Sequence, residues 1–365
     1  MKSNSPISIV SLYSGAGGLD LAFESNPHFK TKICIELNPT YAQTLFQNKG
    51  REFSPKIKFL KHAKIINADV SAASVKTIIK EIPKTTFNSP LIVIGGPPCQ
   101  PFSTMGKRLG LSDVRGLTIF DYAQKVKELN PDYFVFENVP NLGQQWKGEV
   151  LRKLIQFFEK SKYQTVSGVL NAADFGATTK RKRLVIIGTK FSNAAPSLPT
   201  PTHLNGAHSQ KTFEQIGQNW VGVKQALRDL PSTNSCHSEF PTNHVSVSHT
   251  TVVLDRFKKL KPGEQDKIRK RWKLDPELPS NSLMAGGEGG YVLHIHPYYP
   301  RELTLRECAR IQGFPDNFEF HGKPLDVAKQ IVNAVPFQFG RAIADHLFSL
   351  IAKNSKKPYG ITKQG

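Results

Sequence analysis

The sequence predicts an α/β fold with a mostly parallel, doubly wound sheet and a second, smaller irregular domain. In the first half, strand-like and helix-like runs alternate with short connections, which is typical of a parallel sheet covered by helices. After about Lys190 the alternation stops, prolines become frequent and polar residues increase. From Arg301 the helical pattern returns. A chain of 365 residues that is 39% hydrophobic is large enough for both domains and their cores.

Each element follows from the hydrophobic pattern of its segment. The predicted strands are Ile7–Tyr13, Thr31–Leu37, Lys64–Asn67, Leu91–Ile94, Tyr133–Phe136, Gln164–Leu170 and Arg183–Gly188. The predicted helices are Leu19–Glu24, Pro39–Asn48, Ser74–Ile82, Ile119–Leu129, Val150–Lys160, Leu303–Ile311, Asp326–Ile331 and Val335–Ala352. These elements predict a first domain at 1–190, a second at 191–300, a return to the first at 301–352 and a basic tail at 353–365.

The chain is strongly basic, with 49 Lys and Arg against 29 Asp and Glu and a net charge of +20. This excess favours a polyanionic partner, although a basic protein that binds no nucleic acid stays an open alternative. Membrane binding is disfavoured, because no run of about 18 apolar residues exists. The four cysteines are widely spaced and form no metal-type pair, so no metal is expected. The N-terminus does not resemble a signal peptide, which predicts a cytoplasmic protein.

A glycine-rich turn, Ser14–Gly18, follows the first predicted strand. Glycines there allow a ligand to approach the backbone at the carboxyl end of the strand. A dinucleotide-binding turn needs a third glycine where Asp20 stands, so pyrophosphate binding is disfavoured. Glu36 ends the second strand and is a candidate to bind two ribose hydroxyls. Asp69 ends the third strand and is a candidate to bind an adenine amino group. A ribose and an adenine without pyrophosphate fit S-adenosylmethionine, whereas the alternative role of each carboxylate is a helix cap.

The fourth predicted strand is followed by Gly95–Ser103, which reads GGPPCQPFS. The prolines restrict the backbone directly before Cys99, and the glycines keep the end of the strand accessible. A lone cysteine is usually a small buried hydrophobe, but packing alone hardly explains one placed among three prolines at a strand end. The segment therefore predicts a thiol held rigidly at the ligand-binding edge of the sheet.

This segment resembles the catalytic signature of the DNA (cytosine-5) methyltransferases of the bacterial restriction–modification type. Further motifs of that family follow in its order: Tyr13–Gly18, Asp113–Leu117, Glu137–Val139, Arg301–Glu307 with Gln312–Asp316, and Asn333–Pro336. The resemblance covers roughly residues 7–190 and 300–350. It implies the Rossmann-like fold of the S-adenosylmethionine-dependent methyltransferases, with 191–300 as the target-recognition domain.

By this resemblance, Cys99 is the nucleophile that adds to C6 of cytosine, which makes C5 electron-rich enough to accept a methyl group. Glu137 contacts N3 and the exocyclic amine, Arg183 binds O2, and Arg181 supports the loop or a phosphate. The two arginines are also candidates to help ionise the thiol. The implied cofactor is S-adenosylmethionine, and its candidate contacts are Tyr13, Ser14, Gly15, Gly17, Gly18, Glu36, Asp69, Pro97, Leu117, Asn333 and Val335.

The chain departs from the family pattern at two motif positions. Thr179 stands where glutamine is usual, so one polar contact of the family pattern is affected. Val332 stands where glycine is usual before Asn333, so the geometry of the local turn is affected. Neither departure touches the nucleophile.

The target cytosine is hidden in a stacked duplex, so it must be flipped out. The candidate mobile loop is Met105–Val114, and the alternative is an ordinary solvated loop. Asp255–Lys273 has nine Lys or Arg against three Asp or Glu, which predicts phosphate contacts unless the segment is a solvated amphipathic helix. The candidate DNA contacts are Ser103, Lys107, Arg108, Lys258, Lys259, Arg269 and Arg271.

Other classes of function fit less well. Asp20 disfavours a nucleotide oxidoreductase. A cytosine-5 RNA methyltransferase is a closer alternative, but the Cys-Phe-Thr sequence typical of its tRNA-acting branch is absent. A non-catalytic DNA-binding regulator would tolerate the loss of Cys99 or Glu137, and both are present. We therefore expect a monomeric prokaryotic enzyme of the cytoplasm, associated with the nucleoid, which acts on double-stranded DNA alongside a restriction endonuclease.

Overall fold

The computed structural model describes residues 6–55, 57–82, 90–98, 118–144, 148–191, 195–205, 217–231, 233, 241–286 and 291–355. Seven strands form one sheet: β1 (Ile7–Leu12), β2 (Phe29–Glu36), β3 (Lys64–Asn67), β4 (Leu91–Gly95), β5 (Tyr133–Asn138), β6 (Gln164–Asn171) and β7 (Lys182–Thr189). Their order across the sheet is β3-β2-β1-β4-β5-β7-β6. Each strand begins and ends within two residues of the predicted one, and the α/β fold is confirmed.

The direction of the strands determines where a ligand can bind. Strands β1 to β5 are parallel, whereas β7 is antiparallel to both β5 and β6. The connection 172–181 between β6 and β7 contains no α-helix, so the chain returns antiparallel instead of crossing over. The strand order reverses between β1 and β4, and this switch point at the carboxyl ends of the strands is where α/β proteins bind ligands.

The described residues form ten α-helices. They are α1 (Gly18–Glu24), α2 (Pro39–Asn48), α3 (Val75–Glu81), α4 (Thr118–Leu129), α5 (Glu149–Lys160), α6 (Lys224–Leu227), α7 (Thr251–Lys259), α8 (Leu305–Ile311), α9 (Pro324–Asn333) and α10 (Phe337–Ser355). The predicted helices are confirmed, and the last one runs to Ser355 instead of ending at Ala352. None of the helices in the described part of the chain is long and apolar enough to span a bilayer.

Helices cover both faces of the sheet and bury its core. On one face, Phe23 of α1 and Ile343 of α10 lie in a buried cluster with Ile9 of β1. On the other face, Tyr122 of α4 and Leu154 of α5 bury the opposite side of the strands. Burial of the sheet on both faces explains why its strands read as continuous apolar runs.

Region 191–300 contains little regular structure in its described part, as its prolines predict. It is nevertheless joined to the rest of the chain. The strand Ser280–Asn281 pairs in parallel with Thr179–Lys180, directly before β7. Val223 and Leu274 lie in one buried cluster with Phe318, which follows α8. These contacts place the region beside the carboxyl edge of the sheet, near the start of β7.

Candidate active site

A cavity of about 740 Å³ opens at the carboxyl ends of β1, β2, β4 and β5. Its size is typical of a pocket for a ligand as large as a nucleoside derivative. It lies at the switch point between β1 and β4. Most of the candidate cofactor residues line it: Tyr13, Ser14, Gly15, Gly18, Glu36, Asp69, Pro97, Asn333 and Val335. Within the described ranges, no three His, Cys, Asp or Glu side chains are grouped to hold a metal ion.

The loop after β1 needs its glycines. Gly15 and Gly17 have φ angles of +57° and +81°, in the left-handed region that favours glycine. A Cβ at Gly17 would lie 2.7 Å from the ring of Phe59, and a Cβ at Gly18 would lie 3.0 Å from the carbonyl oxygen of Val335. Gly17 therefore supports the loop from behind, while Gly18 allows the segment before α10 to close one side of the cavity.

Glu36 is 8% exposed and holds this loop in place. Its Oε2 accepts a hydrogen bond from the Gly15 N–H at 2.7 Å, and its Oε1 accepts one from the Asn38 N–H at 2.8 Å. Burial raises the pKa of Glu36, and these two backbone donors partly oppose the shift. Each carboxylate oxygen retains acceptor capacity. Glu36 is not the cap of α2, because the Asn38 side chain accepts from the Thr40 N–H at that position.

Asp69 lies at the more open end of the cavity. It is exposed, and its Oδ1 accepts hydrogen bonds from the N–H and the hydroxyl of Ser71, both at 2.8 Å. Asp69 therefore closes a turn instead of capping α3, whose N-cap residue is Ser74. Within the described ranges, its second oxygen, Oδ2, accepts no hydrogen bond from another side chain.

Asp20 is a residue of the site whose role the sequence did not reveal. It is fully buried in α1 and lines the back of the cavity. Ser11 donates its hydroxyl to Oδ2 at 3.1 Å, and the Cys34 thiol lies 3.6 Å from Oδ1. Burial raises the pKa of Asp20 to about 6, and these two donors oppose the shift. In the sequence analysis, Asp20 served only to exclude a dinucleotide-binding turn. Its burial beside the cavity could not be predicted, because that burial depends on contacts with β1 and β2.

Glu137 and Arg183 form a buried ion pair at the other end of the cavity. Glu137 ends β5 and is 7% exposed, and its Oε1 lies 2.8 Å from Arg183 Nε. The antiparallel register of β7 pairs Val185 with Glu137, which places Arg183 at the same sheet edge. Burial lowers the pKa of Arg183, and the negative charge of Glu137 opposes that shift. The two side chains that the family resemblance assigns to the cytosine therefore lie next to each other.

Arg181 has a different environment. It is 4% exposed, and its Nη2 donates to the carbonyl oxygen of Asn333 at 3.1 Å. Burial, followed by the nearby charge of Arg183, lowers the pKa of Arg181 to about 9. The two roles left open for Arg181 were support of the loop and contact with a phosphate. Its burial disfavours the phosphate, and its hydrogen bond supports the wall of the cavity at Asn333.

The segment that leads to Cys99 is anchored next to Glu137. Asn138 donates its side-chain N–H to the carbonyl oxygen of Pro97 at 2.8 Å, and Thr118 donates its hydroxyl to that of Pro98 at 2.6 Å. A Cβ at Gly96 would lie 2.8 Å from Glu137 Oε2. Glycine is therefore required for the close approach of the two segments. Outside the described residues lie Cys99, Ser103, Lys107, Arg108, Leu117 and the Met105–Val114 loop.

The two departures from the family pattern fit their surroundings. Val332 is buried within α9, so the helix continues through this position and requires no glycine. Thr179 is fully buried, and its hydroxyl donates to the carbonyl oxygen of Asn281 at 3.4 Å. This contact links the segment before β7 to region 191–300.

The structure corrects one DNA-contacting prediction. Arg271 is 1% exposed and forms a buried ion pair with Glu302, so its guanidinium cannot reach a phosphate. Lys258 and Lys259 are exposed at the end of α7, whereas Arg269 is half-buried. The charge count of 255–273 could not separate these residues, because α7 ends at Lys259 and the following irregular segment turns one arginine inwards.

Comparisons with known proteins show the family of this chain. The family model for C-5 cytosine-specific DNA methylases matches residues 7–349. Type II methyltransferase M.XorII of Xanthomonas oryzae pv. oryzae is 30% identical, with 96% of this chain and 86% of the relative covered. M1.HphI of Haemophilus parahaemolyticus, also named a Type II methyltransferase, is 30% identical over 94% of this chain and 87% of its own.

Solved structures show the same fold. A DNA modification methyltransferase encoded within an E. coli prophage matches with a TM-score of 0.73 and 25% identity, covering 95% of this chain and 99% of its own. The Dnmt2 methyltransferase of S. pombe matches with a TM-score of 0.60 at 16% identity, covering 97% of this chain and 100% of its own. Because the family model spans the whole sheet and all but the end of the last helix, this chain belongs to the C-5 cytosine-specific DNA methylase family and is a DNA (cytosine-5) methyltransferase.

Proposed function

We propose that the cavity binds S-adenosylmethionine and a flipped cytosine side by side, and that Cys99 activates the base through a covalent adduct. One observation carries this proposal: a single cavity is lined at one end by Gly15 and Glu36 and at the other by Glu137 and Arg183. The first pair suits a ribose and the second suits a polar heterocycle, so both reactants would meet near the Pro97–Pro98 segment.

The cofactor end fits S-adenosylmethionine, which supplies a methyl group on a positively charged sulfur. Glu36 retains acceptor capacity for two ribose hydroxyls, while its backbone partners hold it in position. Asp69 is exposed towards the cavity and would accept from the adenine amino group. Asp20 places a carboxyl group behind the loop, which suits a cationic ligand. The backbone around Asn333 and Val335 would close the pocket from the side of α9.

At the cytosine end, Glu137 would hold a proton at N3 and accept a hydrogen bond from the exocyclic amine, while Arg183 would donate to O2. A proton held at N3 withdraws electrons from C6 and favours attack by the Cys99 thiolate. The new S–C6 bond would send the electron pair of the C5–C6 double bond to C5. C5 would then form its bond to the methyl group while the bond between that group and the positively charged sulfur breaks, which leaves a neutral thioether. A base, for which water suffices, then removes the C5 proton, and the electron pair expels the thiolate.

Region 191–300 would read the target sequence in double-stranded DNA. Its exposed Lys258 and Lys259 suit phosphate contacts, as does the half-buried Arg269 at its surface. Lys107 and Arg108 of the predicted mobile loop would contact the duplex around the flipped base. We further propose that the chain acts as a monomer at the bacterial nucleoid and protects DNA from a partner restriction endonuclease. Only the last part has support from the relatives, which are named Type II methyltransferases.

Methylation mapping tests the reaction and the division of labour together. DNA from cells that express the chain should carry 5-methylcytosine at one short sequence when mapped by bisulfite sequencing. A hybrid that carries region 191–300 of a relative with another target should methylate the relative's sequence. A hybrid that is active but keeps the original target would contradict the role proposed for this region, and modification at another atom or base would contradict the reaction.

Glu36→Gln should weaken S-adenosylmethionine binding roughly 10- to 100-fold. A neutral amide keeps one acceptor oxygen and loses one hydrogen bond of a charged acceptor, worth about 1.5–3 kcal/mol, while the shape of the side chain is preserved. Calorimetry of cofactor binding measures this effect. Glu52→Gln, which neutralises an exposed carboxylate paired with Lys58, is the matched control and should bind normally. Unchanged affinity in Glu36→Gln would mean that Glu36 only positions the loop.

A further inference from the structure

A cluster of lysines lies far from the cavity. Lys30, Lys32, Lys49 and Lys61 surround His62, and we call this group the remote lysine patch. Lys49 and Lys61 are exposed, and Lys30 and Lys32 are half-exposed. None of the motifs that support catalysis includes these residues, and none of them lines the cavity.

A buried carboxylate assembles the patch. Glu24 of α1 accepts a hydrogen bond from the Thr31 N–H at 3.1 Å through Oε1 and one from the Leu60 N–H at 2.6 Å through Oε2. These two bonds bring the start of β2 against the segment before β3. Lys30 and Lys32 flank Thr31, and Lys61 with His62 follows Leu60, so the cations meet on one surface.

Lys49 joins the same surface from the end of α2. The chain turns there, and the Gly50 N–H donates to the carbonyl oxygen of Phe59 at 2.6 Å. The pKa of His62 reflects the proximity of the four lysines. Partial burial lowers the pKa of His62, and the charges of Lys32, Lys61, Lys30 and Lys49 lower it further. His62 is therefore mainly uncharged near neutral pH, and the four lysines carry the charge of the patch.

The acidic side chain that offsets part of this charge is the buried Glu24, which interacts with Lys30 and Lys32. Within the described ranges, none of the four lysines forms an ion pair with Asp or Glu. The carboxylates of this part of the surface are engaged elsewhere: Glu52 pairs with Lys58, Glu81 with Lys64, and Glu319 with Arg51. Glu24 faces the interior and is 3% exposed. The patch therefore presents a positive potential to solvent, which is the electrostatic signature of a phosphate-binding surface.

The direction of the strands separates the patch from the cavity. Lys30 lies at the amino end of β2, whereas Glu36 lies at its carboxyl end and lines the cavity. The six-residue separation along an extended strand corresponds to about 20 Å. A duplex whose target base lies beside Glu137 occupies the opposite edge of the sheet.

We propose that the remote lysine patch binds the phosphate backbone of a second DNA duplex while the first occupies the catalytic cleft. A duplex carries one negative charge per about 1.7 Å of its axis, so several lysines on one surface can contact successive phosphates without reading sequence. The enzyme could then pass from one DNA segment to another without complete dissociation. This inference rests on the proposed position of the target base beside Glu137, and it is independent of the covalent mechanism and of the identity of the cofactor.

The test neutralises the four lysines to glutamine in the full chain. The matched control neutralises four exposed cations elsewhere, Lys80, Arg152, Lys160 and Lys353, and so has the same net charge. Sedimentation velocity at low salt, with a short fluorescent duplex that contains the target sequence, measures the number of duplexes bound per chain. The wild type and the control should bind two, whereas the patch variant should bind one, with second-site affinity at least about tenfold weaker.

A second measurement concerns transfer between segments. For the wild type and the control, release from a labelled duplex should accelerate as unlabelled duplex is added, whereas release from the patch variant should be independent of competitor concentration. All three chains should methylate the short duplex at the same rate, which also verifies folding. One duplex per chain in the wild type, two in the patch variant, or equal losses in patch variant and control would each overturn the proposal.

Discussion

Cys99→Ser is expected to reduce methylation by a factor on the order of 10⁴ to 10⁶ while DNA and cofactor still bind. A serine hydroxyl is far less acidic and less nucleophilic than a thiol, so addition to C6 becomes the slow step. The hydrogen bonds of Asn138 and Thr118 to the preceding prolines do not involve the substituted side chain. Transfer of a labelled methyl group to a duplex measures the loss, and fluorescence anisotropy measures binding.

A trapping experiment separates loss of the nucleophile from a general defect. A duplex with 5-fluorocytosine at the target should form a denaturant-resistant complex with the wild type, because fluorine cannot leave as a proton does. Cys99→Ser should form none, and the control Cys236→Ser should form as much as the wild type. Normal turnover by Cys99→Ser would remove this cysteine from the mechanism.

Glu137→Gln is expected to lower the methylation rate about 10²- to 10⁴-fold, the range typical of removing a general acid or base. A glutamine amide can still contact the base, but it cannot hold a transferable proton at N3. The loss should appear in kcat more than in KM, because base contacts remain. Trapping by 5-fluorocytosine should slow by a similar factor, since Glu137 acts at the addition step. Glu149→Gln, at the start of α5, is the control and should react normally.

The substitution also breaks a buried ion pair, so folding must be measured in parallel. Arg183 would keep its charge in a buried site without Glu137, which typically costs about 3–5 kcal/mol of stability. The double variant Glu137→Gln with Arg183→Gln removes both charges and should regain much of that stability without regaining activity. If the double variant restored methylation, Glu137 would serve structure and not the proton at N3.

The sequence alone determined the order of the elements. It also determined at which end of each strand the polar residues lie. Continuous apolar runs separated by helical patterns specify a sheet buried on both faces, since only such a sheet hides these runs from water. Because parallel strands end at one edge, Ser14, Glu36 and Glu137 could be assigned to one site before their distances were known. The prolines around Cys99 and the motif order carried the resemblance, because backbone restriction and residue order are properties of the chain itself.

The tertiary structure alone decided which charges face solvent and which face one another. Arg271 and Lys259 belong to one basic segment, yet the first is buried against Glu302 and the second is exposed. Asp20 lies behind the loop that follows β1. The remote lysine patch unites cations from β2, from the residue after α2 and from the segment before β3, which are distant in sequence. A count of charges is local, whereas burial and electrostatic potential depend on elements that only folding brings together.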